Sequence, residues 1–447
     1  MRIVVKKFKS GERYAFLLGD DGVPDFWVTH FVTQKLRMNK AVTSIVQYLK
    51  NIKHLRLWEK INDRDLLDEI YNGKIPNSND LNKIKEHCTY QAKALKIKPV
   101  SNIVDLGQFY LSKSQEKPTI KKPQYIARIA HIAEFLTFIG KERLKNKATA
   151  TELFDALDKM KADFKKNMSD GRLKSVPLDK SGIPDDAFED FVEVSKPNSK
   201  HNPFKNSTIQ LRNYLIVQVL YETGLRCSEL LALRISDIGT DIKTPTLSVV
   251  RRHDSKDDPR LKEPTAKTLG RTIEISKELR DLLNIYIRSY RSKTKTAKAH
   301  PFIFVSHKGK AGHYESGQPI IQQTINDIFN RIKSINPERF WGITPHLFRH
   351  FFNDQLSHCI DKERQIVRAE VKRLKEAGLH EEAKLYSHEN LISEQRELEI
   401  RAELNGHSSL KSGRFYLKRT SRKKASQLRK KTHKNLRHKA IITNYKG

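Results

Sequence analysis

The chain has 447 residues and a formal net charge of +33, from 85 Lys and Arg against 52 Asp and Glu. That length allows two or three domains with real cores, and so positive a field attracts a polyanion, with nucleic acid the expected partner. Three cysteines (Cys88, Cys227, Cys359) are too scattered for a disulfide framework or a zinc site; residues 1–7 lack the apolar core of a signal peptide, and no uncharged apolar run could span a bilayer, so the expected compartment is the cytoplasm, at the nucleoid.

Residues 2–19 read as a β-hairpin, with Ile3-Val4-Val5 and residues 14–18 flanking the turn Ser10-Gly11-Glu12. The stretch from Asp20 to Pro24 then breaks the chain. A helix follows with Val42, Ile45, Val46 and Leu49 on one face and Asn39 as its cap. Asp63 is placed to cap a short helix through Leu66, Leu67 and Ile70. A third helix spans about 123–138, striped by Ile126, Ile129, Ile132, Ala133 and Leu136. Residues 1–24 are thus an N-terminal hairpin and 25–145 a helical DNA-binding domain.

Residues 146–206 are expected to link two domains. Pro177, Pro184, Pro197 and Pro203 punctuate the segment, and a short helix falls near 188–194. A second domain, 207–425, opens with an amphipathic helix over 207–222 (Leu211, Leu215, Val217, Leu220), and another helix starts near Ser228. Residues 247–250 and 272–275 read as strands joined by a long charged loop. A helix through Leu279, Leu282, Leu283 and Ile287, a buried strand at 301–305 and helices over 319–334 and 346–358 complete the pattern. The fold class is mainly α with a small antiparallel sheet (α+β).

Cleaving a phosphodiester by in-line attack builds negative charge on the non-bridging oxygens. Guanidinium groups suit that charge because each donates paired hydrogen bonds. A nucleophile and a proton donor for the leaving oxygen complete the set. The run Thr223-Gly224-Leu225-Arg226-Cys227-Ser228-Glu229-Leu230-Leu231 places Arg226 on a tight helix–helix connection. Gly224 ends one helix, Ser228 can cap the next, and Glu229 anchors the turn. In Thr344-Pro345-His346-Leu347-Phe348-Arg349-His350, Pro345 favours helix initiation, and His346 and Arg349 share a helix face. Leu404-Asn405-Gly406-His407 precedes Tyr416. Neutral tyrosine, with a pKa of about 10, is a poor nucleophile unless cationic groups or a base help it to ionise.

Together these strings resemble the tyrosine recombinase (phage integrase) family over about 205–425. The resemblance implies a tyrosine-recombinase catalytic domain preceded by a helical core-binding domain, the latter matched by position and by the 43–58 helix. It assigns Arg226, His346, Arg349 and His407 to the family's catalytic boxes and Tyr416 to the nucleophile. Asn405 departs from the leucine that usually precedes the Gly-His pair. The family's hairpin lysine, general acid for the leaving 5′ oxygen, is assigned to Lys267, with Lys262 and Lys256 in the same loop as alternatives. The implied activity is site-specific DNA recombination through a 3′-phosphotyrosyl intermediate, without metal, ATP or other cofactor. Implied partners are double-stranded recombination sites clamped between the two domains, a homo-tetramer on DNA, and accessory DNA-bending or element-encoded proteins; no membrane is involved. A type IB topoisomerase-like or hairpin-forming enzyme would share the chemistry but not the product. A DNA-binding protein that had lost catalysis should have lost at least one of these positions.

Arg349 and His407 stand 58 positions apart, much farther than in the family. The extra segment, 360–400, is expected to form a helical insertion with Ile360, Val367, Val371 and Leu374 on one stripe. It is either a solvated appendage or, because the stripe needs a partner, a subunit-contacting element. After Tyr416 comes a run rich in cations and free of acids, including Lys418, Arg419, Arg422, Lys423 and Lys424, with 426–447 as a basic tail. This run is expected to bind phosphate backbone.

Overall fold

The computed structural model describes residues 1–95, 118–166, 183–266, 268–309, 315–414 and 417. The chain divides into two compact units, Met1–Leu178 and Asp179–Gly447. Each owns a separate hydrophobic core. The mainly helical, α+β character expected from the sequence is borne out: the described residues hold two antiparallel two-stranded sheets among many helices. Among the described residues, no helix is long and apolar enough to cross a membrane.

In the first unit β1 (Arg2–Lys7) pairs with β2 (Arg13–Leu18), Arg2 opposite Leu18. The hairpin is part of the helical core, because Tyr14, Ala15 and Leu17 are buried in it. Helices α1 (Phe26–Phe31), α2 (Val42–Asn62), α3 (Leu66–Tyr71), α4 (Ser78–Thr89) and α5 (Lys122–Leu144) supply the rest. Two expected caps shift. Asp63 takes a left-handed conformation (φ 49°) at the end of α2, and Asp65 caps α3 by accepting from the Leu67 and Asp68 amides, each at 3.0 Å. The N-cap of α2 is Ala41, not Asn39, and no side chain caps it. Ile126, expected on the buried stripe of α5, is exposed.

The expected linker over 146–206 is corrected more substantially. Helix α6 (Ala150–Lys165) belongs to the first core through Leu157, Met160 and Phe164, and α7 (Asp186–Ser195) to the second through Phe188 and Phe191. The 4-3-4 spacing of Leu153, Leu157, Met160 and Phe164 is a helical stripe, overlooked beside the prolines further on. Gly140 on α5 gives α6 its close approach: a Cβ there would lie 3.0 Å from Leu157 Cδ1 and 3.1 Å from Ile70 Cγ2.

The second unit packs α8 (Ser207–Thr223) against α7, α10 (Lys277–Ile285) and the long α13 (Pro345–Glu376). Short α9 (Cys227–Ala232) follows α8, and β3 (Thr246–Val249) pairs with β4 (Arg271–Glu274), Val249 opposite Arg271. Helices α11 (Gln322–Lys333) and α12 (Pro337–Phe340) precede α13. Phe188, Phe191, Phe329 and Phe340 surround Phe348 and Phe351 of α13, with Phe191–Phe329 centroids at 5.1 Å and Phe188–Phe348 at 5.3 Å. Interlocked aromatic rings leave a helix little freedom to rotate, so the start of α13 is fixed in register. Helix α14 (His380–Asn390) folds back on α13, and α15 (Glu394–Asn405) follows. The apolar stripe of the 360–400 segment therefore has cover within the chain: Ile360 and Val367 are buried, and so is Ala383 of α14.

If α6 is a core helix, Leu157→Ala should destabilise the first unit by about 2–5 kcal/mol. Amide hydrogen exchange in α5 should accelerate accordingly. Unchanged protection there would return 146–165 to the role of a connection.

Candidate active site

The site is organised by Gly224, which closes α8 in the left-handed region at φ +60°. A Cβ there would stand 2.7 Å from the Phe352 ring. The tight turn makes Arg226 the N-cap of α9, replacing the expected Ser228. The Arg226 amide donates to Glu229 Oε2 at 3.0 Å and its Nη1 to Oε1 at 3.3 Å.

Glu229 is 1% exposed. Besides Arg226 it accepts from Thr268 Oγ1 at 2.6 Å and Arg271 Nη2 at 3.0 Å, and Arg349 Nη1 lies 4.0 Å away. Burial works to raise its pKa, but the Arg271 charge and the bonds from Arg271, Thr268 and Arg226 outweigh it and hold the carboxyl below the usual range. It is an ionised anchor for the surrounding cations.

Arg349 is fully buried, with Nη1 donating to Gly224 O at 3.0 Å and Nη2 to Asn405 O at 2.8 Å. The same Nη2 lies 3.4 Å from His407 Nε2. A guanidinium only donates, so this contact requires Nε2 to accept and puts the imidazole proton on Nδ1. Burial first, then Arg349, Arg226 and Arg271, push His407 down to about 4 against the pull of Glu229. His407 is therefore neutral at physiological pH. Three guanidiniums thus surround one carboxylate, leaving the site net cationic. Their side chains are 28% exposed for Arg226, 5% for Arg271 and 1% for Arg349, so Arg226 is the one most open to an incoming anion.

Gly406 ends α15 at φ +63°. Its carbonyl accepts from Leu269 N at 2.9 Å, and a Cβ there would lie 2.7 Å from Arg271 Nη1 and 2.8 Å from Leu269 O. Arg271 Nε donates to Leu404 O at 2.9 Å and Nη1 to Thr268 Oγ1 at 3.2 Å. Arg271 therefore joins the Arg226 turn, the β3–β4 loop and the His407 turn. The sequence reading passed it over. An arginine at a strand start carries no local signal, because its partners Glu229 and Leu404 lie far away in the sequence.

Arg226, Arg349 and His407 are thus brought together. His346 is exposed on the first turn of α13, its ring centroid 4.6 Å from that of His350; it does not share the enclosure of Arg349. Lys267, Tyr416, Lys418, Arg419, Arg422, Lys423 and Lys424 lie outside the described residues. The flanks of Lys267 are described: Ala266 and Thr268 are both buried. Lys256 and Lys262 are exposed on the same loop. That loop is pinned by Arg260, which pairs with Asp258 and donates to Leu231 O and Ile320 O, and by Glu263, which accepts from the Asp254 and Ser255 amides. Among the described residues, no group of three or more His, Cys, Asp or Glu could hold a metal ion.

Cationic side chains drawn from three distant segments thus gather around one carboxylate, an arrangement whose chemistry suits an anion such as phosphate. Residues 193–367 match the model of the phage integrase family. Transposase A from transposon Tn554 of Staphylococcus aureus is 33% identical over 147 residues, covering 32% of this chain and 36% of that protein. The tyrosine recombinase XerD of Listeria innocua is 22% identical over 258 residues, covering 56% of this chain and 75% of that protein. The chain thus spans little more than a third of the length of the transposase relatives. Among solved structures, the XerH site-specific recombinase bound to difH substrate overlays with a TM-score of 0.37 at 17% identity, covering 88% of this chain and 92% of that one.

Two outcomes follow from this geometry. Gly406→Ala should cost about 1–3 kcal/mol, from the left-handed backbone and the contact with Arg271; a thermal melt checks it. The second concerns pH. The folded value of His407, about 4, lies below its ordinary 6.5. Its neutral burial therefore carries no penalty above pH 6.5 and costs stability as pH falls from 6.5 towards 4, where the unfolded chain takes up the proton first. After discounting for partial exposure the loss is about 1 kcal/mol. His407→Gln should flatten the acid limb of the stability profile by that amount, and a profile unchanged by the substitution would refute the assignment.

Proposed function

We infer that the chain is a site-specific DNA recombinase that cuts and rejoins strands through a 3′-phosphotyrosyl intermediate. The observation that carries this reading is the convergence of Arg226, Arg349 and His407 around buried Glu229. Net charge supports it, at +33, as do the names of the relatives, tyrosine recombinases and a transposase.

Tyr416 Oη attacks the scissile phosphorus. The Oη–P bond forms as the P–O5′ bond breaks, and the 5′ oxygen takes a proton from Lys267, with Lys262 and Lys256 as the alternative donors. Arg226 and Arg349 bind the non-bridging oxygens, where paired guanidinium donors match the developing charge. Exposed His346 receives the phenolic proton, and neutral His407 assists by accepting a hydrogen bond from Arg349. The phosphodiester energy is kept in the tyrosyl linkage, so rejoining to another 5′ hydroxyl is the reverse reaction and uses neither ATP nor metal. Lys418, Arg419, Arg422, Lys423 and Lys424 hold the phosphate backbone. The partners are two double-stranded recombination sites, paired by four protomers and aided by DNA-bending or element-encoded proteins. The reaction takes place in the cytoplasm, at the nucleoid.

A duplex of the cognate site, nicked so that the cleaved strand diffuses away, should trap a covalent protein–DNA adduct with the wild-type chain and none with Tyr416→Phe. An adduct that survives the substitution would overturn the nucleophile. Exchange of strands between two labelled sites separates a recombinase from a topoisomerase, which would give only relaxed circles.

A further inference from the structure

Helices α13 and α15 meet along a buried polar seam that the proposed chemistry does not itself require. On α13, Arg349, Asn353, Ser357 and Arg364 recur at helical spacing, as do Glu397, Arg401 and Asn405 on α15, so each set lies on one face. Asn353 and Asn405 exchange amide hydrogen bonds, Nδ2 to Oδ1 in both directions at 3.0 Å. Asn353 Nδ2 also donates to Arg349 O at 2.9 Å. Arg401, fully buried, donates to Asn353 O at 3.1 Å, Ser357 Oγ at 2.5 Å and Glu397 Oε1 at 2.7 Å. Arg364 closes the row on Glu397 Oε2 at 2.9 Å and on Ile392 O at 2.8 Å.

This row ends at the active site. The Asn405 carbonyl is the acceptor for Arg349 Nη2, and His407 lies two residues beyond. Gly413 rests on the same helix: a Cβ there would be 3.1 Å from Leu398 Cδ2. A buried amide has directional partners, so a pair of them fixes axial register in a way that apolar contact does not. The long excursion through the end of α13 and α14 gives the chain many ways to return α15 to Arg349, and the seam selects one.

We propose that Asn353 and Asn405, backed by Arg401, are positioning residues that set the register of α15 on α13 and thereby hold His407 against Arg349. The inference rests on the recombinase reading for its kinetic readout only. It gives Asn405, where the family usually has leucine, a reason to be polar: its partner Asn353 is polar too. It also makes the 360–400 segment an internal buttress.

The test compares Asn405→Leu, Asn353→Leu and the double variant in the full chain. Three quantities are read: the single-turnover rate of adduct formation on nicked DNA, DNA affinity, and the titration of His407 followed by NMR with labelled histidine. Each single variant strands a buried amide. Each should slow adduct formation roughly 10- to 100-fold with DNA affinity within about 3-fold, and should move the His407 titration up towards its ordinary range as Arg349 draws away. The double variant, an apolar pair, should recover most of the rate and the wild-type titration. Should Asn405→Leu not fold, Arg401→Lys, which keeps the charge opposite Glu397 but loses the fork, should show the same slowed rate and raised titration in milder form. Singles with wild-type rate and unmoved titration, or a double no better than the worse single, would overturn the proposal. If the wild-type chain forms no adduct, the recombinase reading fails, and the His407 titrations still decide the positioning.

Discussion

The buried carboxylate of Glu229 is the constraint on which the site depends. It takes the Arg226 amide and guanidinium, the Thr268 hydroxyl and the Arg271 guanidinium, and it stands 4.0 Å from Arg349. Without an ionised acceptor, three guanidiniums at such range would repel one another and draw in water. With it they form a compact cationic cluster with charge to spare. The environment that keeps Glu229 ionised also keeps His407 neutral. One arrangement therefore sets both the electrostatic demand for an anion and the protonation state of the histidine beside it.

The turns that bring these groups together are left-handed glycines, Gly224 and Gly406, each with no room for a Cβ. Both place a backbone carbonyl or its neighbour against Arg349 or Arg271: Gly224 O and Asn405 O accept from Arg349, and Leu404 O from Arg271. Arg349 is oriented by main-chain acceptors on rigid helix ends, Arg226 by Glu229, and Arg271 by both kinds of acceptor. A guanidinium fixed in this way has less freedom to lose when a phosphate arrives.

Much of this was legible in the sequence. Gly224 followed by Arg226 and Glu229 signals a helix–turn–helix with an anchored arginine, and Pro345 with Arg349 signals a helix start; both strings work locally. Glu229 was legible as an anchor of its own turn but not as the acceptor for Thr268 and Arg271, because those partners are some forty residues away. The same distance hid the Asn353–Asn405 pair, 52 residues apart: an asparagine inside a helix reads as a weak helix former until its partner is known. Linker composition misled in the other direction. The prolines after 176 drew attention from the α6 stripe, whose spacing alone was sufficient. The enclosure of Arg349 beside an exposed His346 follows from the aromatic packing of Phe348 and Phe351, a tertiary effect that periodicity does not report.

We propose that Arg226 and Arg349, gathered around Glu229, act on the non-bridging oxygens of a scissile phosphate. Replacing one such oxygen with a methyl group, as in a methylphosphonate at the cleavage position, removes the charge those arginines are held to meet. On the natural phosphodiester, Arg226→Ala should slow single-turnover cleavage by about 100-fold or more, and on the methylphosphonate the same substitution should have little effect. An equal loss on both substrates would contradict the claim.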